Sequence, residues 1–267
     1  MNPNELLSHY DSGQCWPHAL DSNGQYPVSS AYQDALTVRA LRIARGERPL
    51  GYKIGFTNRK IRDLYKVYAP MWGTVWDTTV SYGVNSELSL SLKHICQPRI
   101  EPEIVFGFRS TPKIGATLDE LFESIEWLAP GFEIVQSHMP NWKFTAAETV
   151  ADSGLHAKLG IGQKIMISDL AGNAAELIKL LANSSANLYK GKELVETGVG
   201  SNVLDSPLEA LNYFIKELRS CPGATDIQPG DVVTTGTWTD AWPLLPGESW
   251  RVEFSLKNAH FQLNLLD

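Results

Sequence analysis

Cysteine is scarce in this chain: Cys15, Cys96 and Cys221 are the only three in 267 residues, an odd number without CxxC spacing. A disulfide framework of the kind small secreted domains rely on is thereby excluded, and a chain of this length buries enough core to do without one. Reduced thiols are expected. Apolar runs are short, none nearing the ~20 residues of a membrane-spanning helix, and Met1 to Leu7 lacks the basic and apolar regions of a signal peptide. These absences predict a soluble, cytoplasmic protein without a membrane partner. Basic blocks are missing too: 23 Lys and Arg against 30 Asp and Glu leave a net charge of −7 and a pI near 5.4, which argues against nucleic acid. The chain has no GxSxG elbow, P-loop or GxGxxG turn. Its histidines (His9, His18, His94, His138, His156, His260) show neither HxxxH nor HExxH spacing, which disfavours zinc. Small-molecule chemistry remains, and an acidic protein handling an anion needs a local positive centre, which a bound cation supplies.

The elements that are present read as α+β. Ser29 to Glu47 has no proline and no glycine before Gly46, and reads as a helix. In Gly51 to Thr57 a strand sets Tyr52, Ile54 and Phe56 on one face and Lys53, Gly55 and Thr57 on the other. Thr117-Leu118-Asp119-Glu120 has capping-box spacing ahead of an apolar stripe, Leu121, Phe122, Ile125 and Leu128. Ser206-Pro207-Leu208-Glu209 repeats the device with proline at the first helical position, and a third helix is predicted over Asp169 to Leu181. The C-terminal third is β-rich: Gly230 to Thr237 is a β-branched run, and two alternating runs ending at Leu256 and Leu265 form a predicted hairpin. The expectation is a curved mixed sheet or sandwich with peripheral helices, residues 1–50 forming a helical N-terminal segment and 51–267 the catalytic domain.

Three carboxylates stand out. Glu101 and Glu103 flank Pro102 in an apolar run, so in a strand they share a face, where they repel unless a proton or a hard divalent cation lies between them. A solvated strand face is the competing reading. Pro102 lacks an N–H and predicts an edge or irregular strand. Glu133 sits alone among apolar neighbours in Ala129 to Val135 and needs a partner, either a third place on a Mg²⁺ or Mn²⁺ ion or a salt bridge.

Together with the Lys53 strand, these residues resemble the 2-keto-4-pentenoate hydratase group of the fumarylacetoacetate hydrolase superfamily, which also holds 4-oxalocrotonate decarboxylases. The resemblance runs through the Ala31-Tyr32 helix, Gly51 to Thr57, Gly73-Thr74, Gln97 to Glu103, Glu126 to Glu133, Thr149 to Asp152, Gly200-Ser201, Ser206-Pro207-Leu208 and Thr235-Gly236-Thr237. It implies a fumarylacetoacetate hydrolase-like mixed β-sandwich or roll, and Glu101, Glu103 and Glu133 as ligands of Mg²⁺ or Mn²⁺. It also implies a 2-keto or enol acid chelated through its carboxylate and C2 oxygen, and a homo-oligomer. Lys53 is the candidate proton shuttle, its basicity lowered by the cation, and Asp77 and Asp152 are further catalytic candidates. Ser153 stands where the family has asparagine after the acid. Gly236 and Thr237 are candidates for the substrate carboxylate, and Trp238 and Trp242 for shaping the substrate tail.

The implied activity is addition of water to a 2-hydroxy-2,4-dienoate in aromatic catabolism. The same enolate chemistry serves two rivals: decarboxylation of a 4-oxalocrotonate-type acid, and C–C hydrolysis of an acylpyruvate such as fumarylpyruvate or maleylpyruvate. Hydrolysis asks for a water-activating base, for which His18 with Asp21 or Glu5 are candidates, while His138 follows the Glu133 strand and is a further candidate for the pocket. A non-catalytic partner subunit of a hydratase–decarboxylase complex is the remaining alternative, and the presence of all three acids and Lys53 argues against it.

Overall fold

A computed structural model describes residues 1–58, 67 and 69–266. Helices α1 (Pro3–Ser12) and α2 (Val28–Ala44) lead into strand β1 (Pro49–Gly55), followed by β2 (Met71–Trp76), β3 (Val80–Tyr82), β4 (Glu87–Ser91) and β5 (Arg99–Phe108). Helix α3 (Leu118–Ser124) precedes β6 (Ile125–Val135). Then come α4 (Ala146–Ala151), β7 (His156–Ile161), β8 (Ile165–Met166), α5 (Ala174–Ala182), β9 (Ser185–Lys190), β10 (Glu193–Val199) and α6 (Pro207–Ser220). Strands β11 (Val232–Thr234), β12 (Trp242–Pro243), β13 (Ser249–Phe254) and β14 (His260–Leu266) complete the chain. Among the described residues they form a mixed sheet in the order β2-β1-β11-β5-β6-β7-β3, with β12 on β5 and β8 on β6, and a second sheet in the order β10-β9-β13-β14-β4.

Alternation decides what each face of the first sheet does. Ile100, Ile104 and Phe106 of β5, Phe132 and Ile134 of β6, and Tyr52 and Ile54 of β1 join one core with Val252, Phe261 and Leu263 of the second sheet and with the apolar stripe of α6. Phe132 and Phe261 stack across that core with ring centres 5.7 Å apart. The intervening residues Lys53, Glu101, Glu103 and Glu133 therefore share the opposite face. A smaller core under the N-terminal helices joins Leu6, Trp16 and Val38 to Met139 and Val150. No helix among the described residues is long and apolar enough to cross a membrane, and the three cysteines are free, Cys15 Sγ lying 3.6 Å from Cys96 Sγ.

Several sequence expectations hold and others fail for visible reasons. The β13–β14 hairpin pairs as predicted, Trp250 opposite Leu263, and the Thr117–Glu120 capping box forms. The helix it opens stops at Ser124, however, and Ile125 and Leu128 belong to β6. Ladder pairing from Phe108 opposite Ile125 to Arg99 opposite Val135 overrides the helical stripe. Ser206 makes no capping bond and its buried hydroxyl has no partner among the described residues, although Pro207 does open α6. The third predicted helix starts late, at Ala174, with Asn173 as its cap, and the β-branched run at 230–237 keeps only Val232–Thr234 as strand. Pro102 lies in an interior strand rather than at an edge. It is tolerated because the neighbour changes there: β11 pairs with Val105 to Gly107 and β12 with Arg99 and Ile100. The chain loops out between them, Trp238 N–H reaching Pro102 O at 3.1 Å, so no ladder bond needs the missing N–H.

Candidate active site

Glu101 on β5 stands directly opposite Glu133 on β6, and Glu103 follows two residues along the same face. Each offers a carboxylate oxygen within 4.8 Å of the others. Glu103 and Glu133 are fully buried and Glu101 partly so. Lys53 reaches in from β1, with Nζ 3.0 Å from Glu133 Oε2. Glu103 Oε2 accepts bonds from the Thr234 hydroxyl and from Gly236 N–H, the latter at 2.7 Å, while Glu103 Oε1 is buried without a hydrogen-bond partner among the described residues. His156 Nδ1 lies 3.0 Å from Glu133 Oε1, and its Nε2 lies 2.9 Å from the Thr79 hydroxyl.

Three carboxylates against one ammonium leave this cluster short of positive charge. Burial, with Lys53 opposing and Glu133 reinforcing, pushes the Glu101 carboxyl up to about 7. Burial together with Glu133 and Glu101 pushes Glu103 well above the usual carboxylate range. Burial disfavours the Lys53 ammonium, but Glu133, Glu101 and Glu103 outweigh it and raise its pKa. The lowered basicity expected beside a cation is thus reversed in the carboxylate field alone. Burial pulls the His156 imidazole down despite Glu133. An all-oxygen donor set with an orphaned buried carboxylate oxygen fits a hard divalent cation.

The cluster opens onto a cavity of about 440 Å³ with Lys53 and Glu101 in its wall. Gly154 (φ +67°) makes room beside it, since a side chain there would press on Lys53 Cδ and on Gly73. Much of the remaining wall is apolar, with Phe56, Met71, Val135, Phe144, Leu155 and Trp242. Two charged residues missed by the sequence reading also line it. Arg99 sits with its guanidinium 4.3 Å from the Trp142 ring centre and 3.5 Å from Ala241 O, and Asp240 lies in the loop before β12. Arg99 was detectable, because it shares the two-residue period of Glu101 and Glu103. Asp240 lies on an irregular loop and carries no such signal.

The remaining candidates separate. Thr237 lines the cavity, and its hydroxyl ties the loop by donating to Thr239 O at 3.0 Å and accepting from Thr239 N–H at 3.2 Å. Gly236 stays out of the wall: its N–H is given to Glu103, and its φ of +104° and the Thr57 hydroxyl beside it leave space only for glycine. Trp242 lines the cavity, whereas Trp238 is core, edge-on to Phe254 at 4.9 Å. The structure does not bring Asp77 to the cavity. It lies in the turn after β2, paired with Arg48 at 2.9 Å. Asp152 is also outside the wall, buried, with Oδ1 2.5 Å from His138 Nδ1 and Oδ2 accepting His138 N–H at 2.9 Å. Burial opposes the His138 imidazolium, but Asp152 outweighs it and raises the pKa. The two residues hold the 137–142 and 152–155 segments together behind the cavity. His18 is exposed and not in the wall. Asp21 Oδ1 accepts Tyr26 N–H, and Glu5 caps α1.

No model of a known protein family matches the chain. Among curated proteins, a 2-hydroxyhexa-2,4-dienoate hydratase of Comamonas testosteroni is 31% identical over 231 residues, 85% of this chain and 83% of the relative. A 4-oxalocrotonate decarboxylase of a Pseudomonas species is 28% identical over 230 residues, 82% of this chain and 84% of that one. Among solved structures, the 4-oxalocrotonate decarboxylase of Pseudomonas putida G7, complexed with magnesium and adipate, superposes with a TM-score of 0.85 at 20% identity, covering 100% of this chain and 99% of the other. The similarity to the Comamonas hydratase, over most of both chains, carries the family assignment, and the fold agrees: the chain belongs to the 2-keto-4-pentenoate hydratase group of the fumarylacetoacetate hydrolase superfamily.

Proposed function

We propose that this protein is a Mg²⁺- or Mn²⁺-dependent hydro-lyase that adds water to a 2-hydroxy-2,4-dienoate and yields a 4-hydroxy-2-keto acid. The observation that carries this reading is the trio Glu101, Glu103 and Glu133, two of them fully buried, short of positive charge and open to a cavity sized for a small acid. These three residues would hold the cation, which when bound supplies the positive charge that anchors the acid's carboxylate and C2 oxygen and stabilises negative charge developing there. Lys53 carries the proton that converts the dienol to the conjugated ketone. Water then adds with hydroxyl to C4 and hydrogen to C3. Asp240, which lines the cavity where Asp77 and Asp152 do not, orients that water, and Arg99 is a second cation in the described wall. The apolar wall shields the reacting carbons from bulk water.

The decarboxylase reading shares every residue of the trio and draws support from the decarboxylase relative. The hydrolase reading is weaker, since neither His18, which is exposed, nor His138 lines the cavity to supply its base. A cytoplasmic homo-oligomer completes the proposal, and size-exclusion chromatography of the purified chain tests the assembly. The activity test is a panel of dienoates, oxalocrotonate and acylpyruvates, assayed by mass spectrometry after EDTA treatment and metal add-back. Gain of water that disappears with EDTA and returns with Mg²⁺ or Mn²⁺ supports the hydratase. Loss of CO₂ or C–C cleavage as the main outcome transfers the assignment to a rival, and turnover indifferent to EDTA overturns the metal reading.

A further inference from the structure

His156 serves no step in the proposed reaction, yet it is fully buried at the start of β7 and touches a carboxylate of the trio. The hydrogen bonds around it determine where its proton lies. The Thr79 hydroxyl accepts Trp76 N–H at 3.0 Å, which leaves its own single proton to give. Two acceptors are in reach, His156 Nε2 at 2.9 Å and Trp76 O at 3.3 Å, and the nearer one is the imidazole. Glu133 Oε1, as a carboxylate oxygen, accepts, so the proton belongs on His156 Nδ1, 3.0 Å away, and Nε2 takes the Thr79 hydroxyl's proton. A directed chain results: Trp76 N–H to Thr79, Thr79 O–H to His156, His156 Nδ1–H to Glu133.

We infer that His156, with its tautomer set by Thr79, is a positioning residue for the cation site: it pins Glu133 through Oε1 and so reserves Oε2, the oxygen beside Lys53, for the cation. This rests on the reading of the trio as a metal site. A neutral donor suits the task. A lysine or arginine at this place would add a second positive charge and pair off the carboxylate that the cation needs, while an aliphatic residue would leave Glu133 Oε1 buried and unbonded and the carboxylate free to rotate. A merely structural histidine would fill the same space, but the affinity of the trio for a cation would not depend on which atom at that position donates.

Titration with Mn²⁺, following the free aquo ion by its electron paramagnetic resonance signal, tests this without any turnover. His156→Ala is expected to weaken Mn²⁺ binding by roughly 10–100-fold. His156→Asn, whose amide N–H replaces Nδ1–H, should recover most of that loss, and Thr79→Val, which removes the tautomer-setting donor, should fall between. His156→Ala binding Mn²⁺ like the parent overturns the inference, as does His156→Asn failing as badly as His156→Ala. If His156→Ala does not fold, Thr79→Val decides, and parental affinity in that variant overturns the directed chain. Failure of the parent itself to bind Mn²⁺ is a different result: it removes the metal reading, and this inference with it.

Discussion

The Arg42–Glu47 cluster and the Glu101, Glu103 and Glu133 cluster, each with buried members, are built to opposite ends. Arg42 is buried with its guanidinium 2.5 Å from Glu47 Oε2 and stacked against the Tyr10 and Trp76 rings at 4.5 and 4.4 Å. Arg45 joins Glu47 and Asp11, and the Thr78 hydroxyl adds a bond at 2.6 Å, so two cations meet two anions. Burial pushes the Glu47 carboxyl up, but Arg42, Thr78 and Arg45 outweigh it and hold it below the usual range. In the Glu101, Glu103 and Glu133 cluster the same burial wins: Glu101 and Glu103 are pushed up because Lys53, helped by Arg99 at Glu101 and by the Thr234 hydroxyl at Glu103, does not outweigh burial and the neighbouring carboxylates. A balanced cluster locks helix α2 to the turn after β2. An unbalanced one stores electrostatic cost that a cation or substrate relieves, which is how burial marks a functional site.

Substitutions that exchange the two behaviours test the contrast. Glu133→Gln should abolish Mn²⁺ binding and lower turnover by roughly 10²–10⁴-fold, the scale of several kcal/mol of lost charge stabilisation. The cation-free variant should melt no lower than the parent, because a like charge has gone. Retained metal content on elemental analysis would break the ligand assignment. Lys53→Met should cost roughly 10²–10⁴-fold in kcat with Mn²⁺ still bound, and an unchanged kcat would remove Lys53 from proton transfer. Arg42→Met should act in the reverse sense, lowering unfolding free energy by about 1–3 kcal/mol through the lost ion pair and ring stacking, with Arg45 and Thr78 still holding Glu47, while leaving the kinetic constants of the folded protein near parental. Urea melts beside steady-state assays read both.

The smallest effect concerns pH. A carboxyl whose folded pKa is depressed contributes stability above its unfolded value, near 4.3, and loses it as pH falls through the folded value. Glu47→Gln should therefore melt below the parent at pH 7, and the gap should close as pH drops below about 4. A gap independent of pH would mean that Glu47 acts by packing rather than by charge.

Legibility tracked sequence distance and periodicity. Glu101 and Glu103 were readable because strand alternation puts i and i+2 on one face, and Glu133 because a lone acid among apolar residues demands a partner. Lys53 was readable by the same alternation. Ile125 and Leu128 were misplaced because their spacing suits a helix equally well, and pairing with β5, remote in sequence, decided the matter. Resemblance points to Asp77 and Asp152 as site acids, but Arg48 and His138 claim their carboxylates. His156 carried no local signal at all.

By itself, then, the sequence determined the α+β composition, the phase of the strand stretches carrying Lys53, Glu101, Glu103 and Glu133, and the identity of the acids, since these follow from side-chain type and a period of two. Tertiary structure alone decided that Glu101 faces Glu133, that Lys53 and His156 take different oxygens of Glu133, and that Asp240 rather than Asp77 reaches the cavity. Those relations depend on register between strands and on loop paths, which are set by burial summed over the whole chain and not by any short stretch of it.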